Sequence, residues 1–372
     1  MKPRVLLVST VHPATDPRIF YKIASSISAD YEVFCVLPRA NETVNHPFRN
    51  ISLPYFRRLV WRLFVSHPVM LWKCLRLKPD VVHIFVPELI PAALLFQFRG
   101  AKIVYEVQEN LFKKFSIKRF NNAFFFQYFF KLFDSTARKR FNCIFTDEAY
   151  LTEYRILSKP YAIVRNFVSV PFIDAIPDQK GNPQARYEFF YAGVISLERC
   201  FDVLLEALYL LNQTYPEFHV HLFGPIRVDL NKWKENPHYL SVCERITLYG
   251  YRDQKFAFSH ARRCIAGIAL LKPVADYQES YTTKLFDYMS LNLPVITSDF
   301  PLYRQVVEHS HCGFCISPYN AQTLCEKFVW LIENPEDRKR MGRNGRKAII
   351  DTYNWAREEL TLFSFYKNLL KH

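Results

Sequence analysis

Hydrophobic positions in this chain come in short unbroken runs, separated by stretches with helical spacing. VLLVST (5–10) reads as a buried strand, DPRIFYKIASSI (16–27) as a helix and YEVFCVL (31–37) as the next strand. The alternation resumes with DVVHIFV (80–86), a helix over PELIPAALLFQF (87–98) that stops at Gly100, and KIVYEV (102–107). CIFTD (143–147) and YAIVRN (161–166) supply two further strands. Runs that are apolar at every position belong to strands covered on both faces, and strand–helix–strand order makes such strands parallel. Between 171 and 186, PFIDAIPDQKGNPQAR gathers Pro, Gly, Asp and Asn and reads as a linker. A second series follows: EFFYAGV (188–194), the helix FDVLLEALYLLNQ (201–213), HVHLFG (219–224), ITLYGY (246–251), CIAGIALL (264–271) and PVITS (294–298). A helical segment over PLYRQVVEHS (301–310) stops near Gly313, and the tail from 321 reads mainly as helices. The expected fold class is α/β, with two Rossmann-like doubly wound domains facing a cleft. The expected boundaries are 1–170 for the first domain, 171–186 for the linker, 187–355 for the second domain, and 356–372 for a C-terminal helix packing back towards the first.

Composition supports two cores, since half of the 372 residues are hydrophobic. No run of about 18 apolar residues occurs, and the opening MKPRVLLVST lacks the apolar stretch of a signal peptide. Nine scattered cysteines suit reduced thiols, so the expectation is a cytoplasmic protein. The net charge of +14 is uneven: residues 1–180 hold 26 Lys/Arg against 14 Asp/Glu, so nearly all the excess lies in the first half. That asymmetry calls for an anionic partner. Neither domain's first strand leads into G-x-G-x-x-G, and no Walker lysine loop occurs, which argues against a dinucleotide-dependent dehydrogenase and a P-loop nucleotidase.

The basic excess is interleaved with aromatics. Residues 43–79 contain no acid, seven Lys/Arg and six aromatics. A helical wheel over YFRRLVWRLFVS puts Arg57, Arg58 and Arg62 on one side and Leu59, Val60, Leu63 and Phe64 opposite. FKKFSIKRFNNAFFFQYFFKLFDSTARKRF (112–141) holds eight Lys/Arg and ten Phe. Such segments suit an anionic membrane surface. The alternatives are phenylalanines that are simply core with cations lining the surface, and single-stranded nucleic acid, which is the weakest reading.

YQESYTTKLFDYM (277–289) holds the most suggestive polar group. Thr282 or Thr283 can cap a helix through KLFDYMSL, with Asn292 as a left-handed stop and Pro294 opening a strand. Lys284 falls in the first turn, where a cation opposes the helix dipole unless an anion is present. Glu279 precedes the helix and Asp287 lies in its second turn. A ligand here would meet N–H donors, a cation and two carboxylates, which suits a diphosphate joined to a polyhydroxylated group. Spacing alone also allows, and by itself favours, a capped surface helix with a solvated Lys–Asp pair. HSHCGFC (309–315) offers two His and two Cys, but lacks the two separated ligand halves of a closed structural zinc site. His12 and His83, at or near strand ends, could touch substrate, but a packed or surface histidine is the favoured reading.

The stretch ALLKPVADYQESYTTKLFDYMSLNLPVITSDFPLYRQVVEHSHCGF resembles the donor half of retaining GT-B glycosyltransferases, family 4-like and of the group 1 type. There it is similar to the E-x7-E region and the phosphate-binding helix. HPATDPRIFYKIASSI resembles that family's first loop and helix, and KPDVVHIFVPELIPAALL and KIVYEVQEN resemble its middle strands. FYAGVISLERCFDVLLEAL is similar to the strand, phosphate loop and helix that open the donor domain, and NPEDRKRMGRNGRKAIIDTYNW to its last helices. The resemblance implies that Glu279 lies by the donor sugar hydroxyls and Asp287 holds the nucleotide ribose. It further implies that Thr282, Thr283, Lys284 and Arg199 face the diphosphate beside Gly193, and that the Gly250–Tyr251 loop contacts the base. Gln108 would lie near the reacting sugar, with His12 and Glu109 on the acceptor side; the implied catalytic set is Glu279, Gln108, Arg199 and Lys284. Three positions depart from the family pattern: Asp287 replaces a second glutamate, Cys200 stands where glycine commonly follows the basic residue, and Gln108 stands where a histidine is usual.

The expected function is therefore a retaining hexosyltransferase moving sugar from a nucleotide diphosphate donor to a lipid-linked or saccharide acceptor, in cell-surface polysaccharide synthesis. Its expected place is the inner face of the membrane, as a peripheral protein. No metal, cofactor or nucleic acid is expected. The alternatives are a catalytically silent GT-B-like binding protein and a nucleotide-sugar epimerase of the same fold.

Overall fold

The computed structural model describes residues 2–43, 46–110, 124–154, 157–177 and 186–371. They form two compact units: Met1–Asn166 together with Trp355–His372, and Phe167–Asn354.

The first unit is built on seven parallel strands in the order β3-β2-β1-β4-β5-β6-β7. These are β1 (Arg4–Val8), β2 (Glu32–Pro38), β3 (Arg49–Leu53), β4 (Val81–Ile84), β5 (Lys102–Val107), β6 (Asn142–Phe145) and β7 (Tyr161–Ile163). Successive residues of β1 go to opposite faces: Leu6 and Val8 join one core, Val5 and Leu7 the other. Each strand is thus buried on both sides, which is why its sequence reads as a continuous apolar run. The helix Pro17–Ala24 opens on Asp16, whose carboxylate accepts from the N–H groups of Arg18 and Ile19 at 3.0 and 2.9 Å. The C-terminal helix Trp355–Lys371 packs Trp355, Leu362, Phe365, Tyr366 and Leu369 onto the Val5–Leu7 face of this same unit.

The second unit has six parallel strands in the order β10-β9-β8-β11-β12-β13. They are β8 (Tyr187–Ala192), β9 (Phe218–Phe223), β10 (Ile246–Gly250), β11 (Ala266–Ala269), β12 (Val295–Ser298) and β13 (Gly313–Ile316). Phe189 and Phe190 again divide between two cores. The start of the stretch read from composition as a linker is a short helix, Val170–Asp174. Ile173 and Ile176 are buried in the core of the second unit, so the chain is anchored there, and residues 178–185 lie outside the described residues.

In both sheets the strand order reverses at the first strand of the unit, between β1 and β4 and between β8 and β11. Loops leaving the carboxyl ends of neighbouring strands diverge at such a point, and ligands of open α/β sheets bind there.

One buried ion pair joins the helix after β1 to β5. The Arg18 guanidinium donates to both oxygens of Glu106, at 2.7 and 3.1 Å, and to the carbonyl of Val164 at 2.8 Å. Burial alone would raise the Glu106 carboxyl, but Arg18 and His83 hold it well below the usual carboxylate range. Arg18→Met leaves that carboxylate buried without its cation and should cost about 3–5 kcal/mol in urea unfolding at neutral pH. Because the folded form depresses this group, its contribution is present above the unfolded value of about 4.3 and is lost as pH falls through the lower folded value. The gap between wild type and Arg18→Met should therefore narrow in acid.

Candidate functional site

In the second unit, chemistry collects where β8 and β11 end. Gly193 follows β8, and both cations of interest point at it: a Cβ placed on Gly193 would lie 2.9 Å from Arg199 Nη1 and 3.0 Å from Lys284 Nζ. A side chain here would fill the space in front of the two charges. Gly224, after β9, has φ +135°, and a Cβ on it would meet the Gly193 carbonyl oxygen at 2.0 Å. Its N–H donates to Gly250 O at 2.8 Å, so three glycines line the carboxyl ends of β8, β9 and β10.

Lys284 lies in the first turn of the helix Thr283–Ser290 and is buried, so it is not the solvated half of a surface Lys–Asp pair. Burial above all, and then the neighbouring Arg199, push its ammonium well below the usual lysine range, while Asp287 acts in the other direction. Thr282 takes the extended backbone of an N-cap, but its hydroxyl makes no capping hydrogen bond, contrary to the sequence expectation. The helix start is left for an external acceptor. Thr283 is exposed, Thr282 and Asp287 half-buried, and Asn292 ends the segment at φ 58°.

Glu279 is exposed on the loop between β11 and that helix. The loop is pinned from below: the buried hydroxyl of Tyr303 lies 3.0 Å from Tyr277 O and 3.2 Å from Ser280 O, and the Ser280 hydroxyl donates to Asp276 O at 3.0 Å. Arg199 stands 6.0 Å from the ring centre of Tyr277 on this loop. Thus Gly193, Arg199 and Lys284 are brought together, while Glu279, Thr282, Thr283 and Asp287 share the adjoining loop and helix. Tyr251 is exposed just beyond β10.

Residues 172–348 match the family model described as glycosyl transferases group 1. The second unit is thus similar to the group 1 glycosyl transferases. A 94-residue stretch is 27% identical to spore coat protein SA of Bacillus subtilis, covering 25% of this chain and 25% of that protein. Sucrose-phosphate synthase from Thermosynechococcus elongatus superposes with a TM-score of 0.74 over 100% of both chains, at 13% identity. HepE of Anabaena, solved with UDP and glucose, gives 0.71 over 98% of this chain and 100% of that one, at 12% identity. The fold is GT-B.

The first unit places a second cluster after β1 and β5. His12 Nε2 is 3.1 Å from Gln108 Oε1, and Gln108 Nε2 donates to Glu106 Oε1 at 2.7 Å. Ser9 Oγ lies 2.7 Å from His12 Nδ1. Glu109 is half-buried beside Gln108. His83 is enclosed completely, 2.7 Å from the Tyr366 hydroxyl, so it is a packed histidine and not a surface one.

Cys200 takes φ 59° ahead of the helix Phe201–Asn212, which explains a glycine preference there as a demand for left-handed backbone. Among the described residues His309, His311, Cys312 and Cys315 do not form a three-ligand cluster. Glu188, His221 and Cys264 do bring ligand atoms within 4.8 Å of one another. Both His221 nitrogens are already engaged, by Glu188 and the Tyr249 hydroxyl at 2.9 Å each, so a metal ion would have to displace these bonds.

The sequence reading missed Glu106, Tyr303 and Gly224. A charged residue inside the apolar run KIVYEV was the available signal for the first; the others depend on distant partners.

Lys284 should titrate below about 10.4, the ordinary lysine value, in 13C spectra of labelled lysine side chains. Arg199→Met removes the nearby positive charge and should let that value rise, while burial keeps it below the ordinary one.

Proposed function

We propose that this chain is a retaining glycosyltransferase. Its second unit holds a nucleoside diphosphate sugar, and its first unit binds a lipid-linked saccharide acceptor at the cytoplasmic face of a membrane, in cell-surface polysaccharide synthesis. The observation that carries the reading is the convergence of Arg199 and Lys284 on Gly193, beside an uncapped helix start. Two cations and a helix N-terminus answer the charge of a diphosphate, and they do so most strongly when the glycosidic bond breaks and negative charge grows on the leaving group. No metal is required for that neutralisation. Glu279, exposed on the pinned loop, accepts from sugar hydroxyls, and Asp287, one turn into the helix, accepts from the ribose. Tyr251 lies by the base. UDP is the nucleotide with which the similar HepE was solved, and it is the first probe here.

UDP should raise the melting temperature of the intact protein and drive net proton uptake from buffer, since an anion favours the charged ammonium of Lys284. Glu279→Ala should lower kcat at least about 100-fold with the fold intact. Asp287→Ala should mainly raise the donor KM, by the about 1.5–3 kcal/mol of a lost hydrogen bond to a charged group. Wild-type kinetics in both variants would sink the assignment. Sugar interconversion without nucleotide release would mark an epimerase, and UDP binding without turnover on a panel of nucleotide sugars would mark a silent homologue.

The membrane part of the reading rests on residues 55–72. Val60, Trp61, Leu63, Phe64 and Trp72 are all exposed, Phe64 to 75%. The structure departs from the helical wheel in two respects: Arg57 and Arg58 precede the helical segment that starts at Leu59, and Arg62 is paired with Glu88 at 2.7 Å. In the helix Phe124–Arg140, Phe130 and Ala137 are core and Arg138 pairs with Asp134 at 2.6 Å, whereas Tyr128, Phe129 and Leu132 are exposed. Residues 112–123 of that basic stretch lie outside the described residues. Among the described residues no helix is long and apolar enough to cross a membrane. Exposed apolar side chains flanked by cations lie well in an anionic lipid surface. Trp61→Ser with Phe64→Ser should weaken sedimentation with phosphatidylserine-containing vesicles at least about tenfold, leaving UDP-induced stabilisation unchanged.

A further inference from the structure

Gln108 occupies the position at which the resemblance leads one to expect a histidine, yet a histidine is present: His12, from the loop after β1, reaches it. We propose that Glu106 is a positioning residue that sets the direction of every hydrogen bond in the row Glu106–Gln108–His12–Ser9, and so holds His12 as the imidazole tautomer with its proton on Nε2. In this row His12 is a hydrogen-bond donor and offers no lone pair to an incoming hydroxyl.

The direction follows from the Glu106 end. Glu106 is buried, ionised, and accepts from Arg18 at 2.7 and 3.1 Å; it has no proton to give. The Gln108 atom facing it at 2.7 Å must therefore be the amide nitrogen, which fixes the side-chain flip. The Gln108 oxygen then faces His12 Nε2 at 3.1 Å and can only accept, so Nε2 carries the proton. At the other end Ser9 Oγ accepts from the N–H groups of Val11 and His12, each at 3.2 Å, and its own proton is left for His12 Nδ1 at 2.7 Å. The Glu106 end imposes this polarity, and the Ser9 end is compatible with it. A row written in the opposite sense would need a protonated Glu106 beside a guanidinium, or a Ser9 oxygen accepting three N–H groups.

The consequence deepens the proposed function and rests on its assignment of the acceptor to the first unit. Gln108 keeps one N–H for a ligand, while the lone pair of the nearest imidazole is spent on Ser9. An acceptor saccharide is then oriented through an oxygen that receives this N–H, and its reacting hydroxyl does not lose a proton to His12. The loops after β1 and β5 bind and orient; they do not act as a base at this point.

The test is a nitrogen–proton correlation spectrum of the imidazoles in the full chain labelled at histidine, with His12 assigned by its disappearance in His12→Gln. The expected result is a bare Nδ1 and a protonated Nε2. Gln108→Met removes both of its side-chain hydrogen bonds at nearly constant length and should convert this pattern to an exchanging mixture of the two tautomers. If Gln108→Met does not fold, Gln108→Glu serves: a second carboxylate next to His12 should put protons on both imidazole nitrogens. A wild-type His12 protonated on Nδ1 would overturn the proposal, as would a His12 signal that neither variant moves. These spectra need no substrate, so failure of glycosyl transfer in a separate assay would count against the proposed function and leave this outcome standing.

Discussion

The first unit depends on a single buried ion pair. Arg18 and Glu106 are 88 residues apart, and their contact joins the helix after β1 to the end of β5. Arg18 also holds the carbonyl of Val164 where the chain leaves β7, and lies 5.7 Å from the ring centre of Trp355 at the start of the C-terminal helix. A pair of this kind adds little net stability compared with well-packed apolar side chains. What it adds is position: three chain segments must meet at one point for its hydrogen bonds to be made. Its carboxylate then does a second task, since Gln108 and through it His12 take their orientation from it. Structure and candidate chemistry are coupled there through one side chain.

The second unit reaches its site by the opposite route, through removal of side chains. Gly193 clears the space before Arg199 and Lys284, and Gly224 lets the backbone of β9 come against the carbonyl of Gly193. Only nine glycines occur in the chain, and three of them end adjacent strands here. The backbone can approach a ligand closely only where Cβ atoms are missing, so the scarcity of glycine elsewhere makes this row the more specific.

Much of the fold was legible because both sheets are parallel and covered on two faces. Their strands therefore appear as unbroken apolar runs, and the reversal points follow from the order of the runs. The helix start at Thr282–Lys284 was legible as well, through the opposed signals of a capping residue and a first-turn cation. What the sequence could not reveal was burial by distant partners. His83 reads as a possible substrate contact until Tyr366, 283 residues away, is seen closing over it. Arg62 reads as part of a cationic stripe until Glu88 is found against it. Local spacing says which side chains share a helix face; it says nothing of which remote side chain has already claimed them.

Lys284 shows why the helix start is better regarded as half of a site than as a finished structure. A buried ammonium in a first helical turn, with a guanidinium nearby, is unfavourable on three counts: desolvation, the helix dipole and like-charge repulsion. Losing its proton relieves all three in the empty protein, and the side chain can then pack as an apolar one. The diphosphate of the proposed donor would offset these terms together, by supplying the opposing charge, the acceptor for the uncapped N–H groups and the partner for Arg199. Residues that violate local rules at the cost of folding energy mark functional positions when the violations share one remedy. Thr282 without its capping bond, Lys284 buried and Gly193 with no side chain before the two cations would all be answered by the anion of the proposed donor.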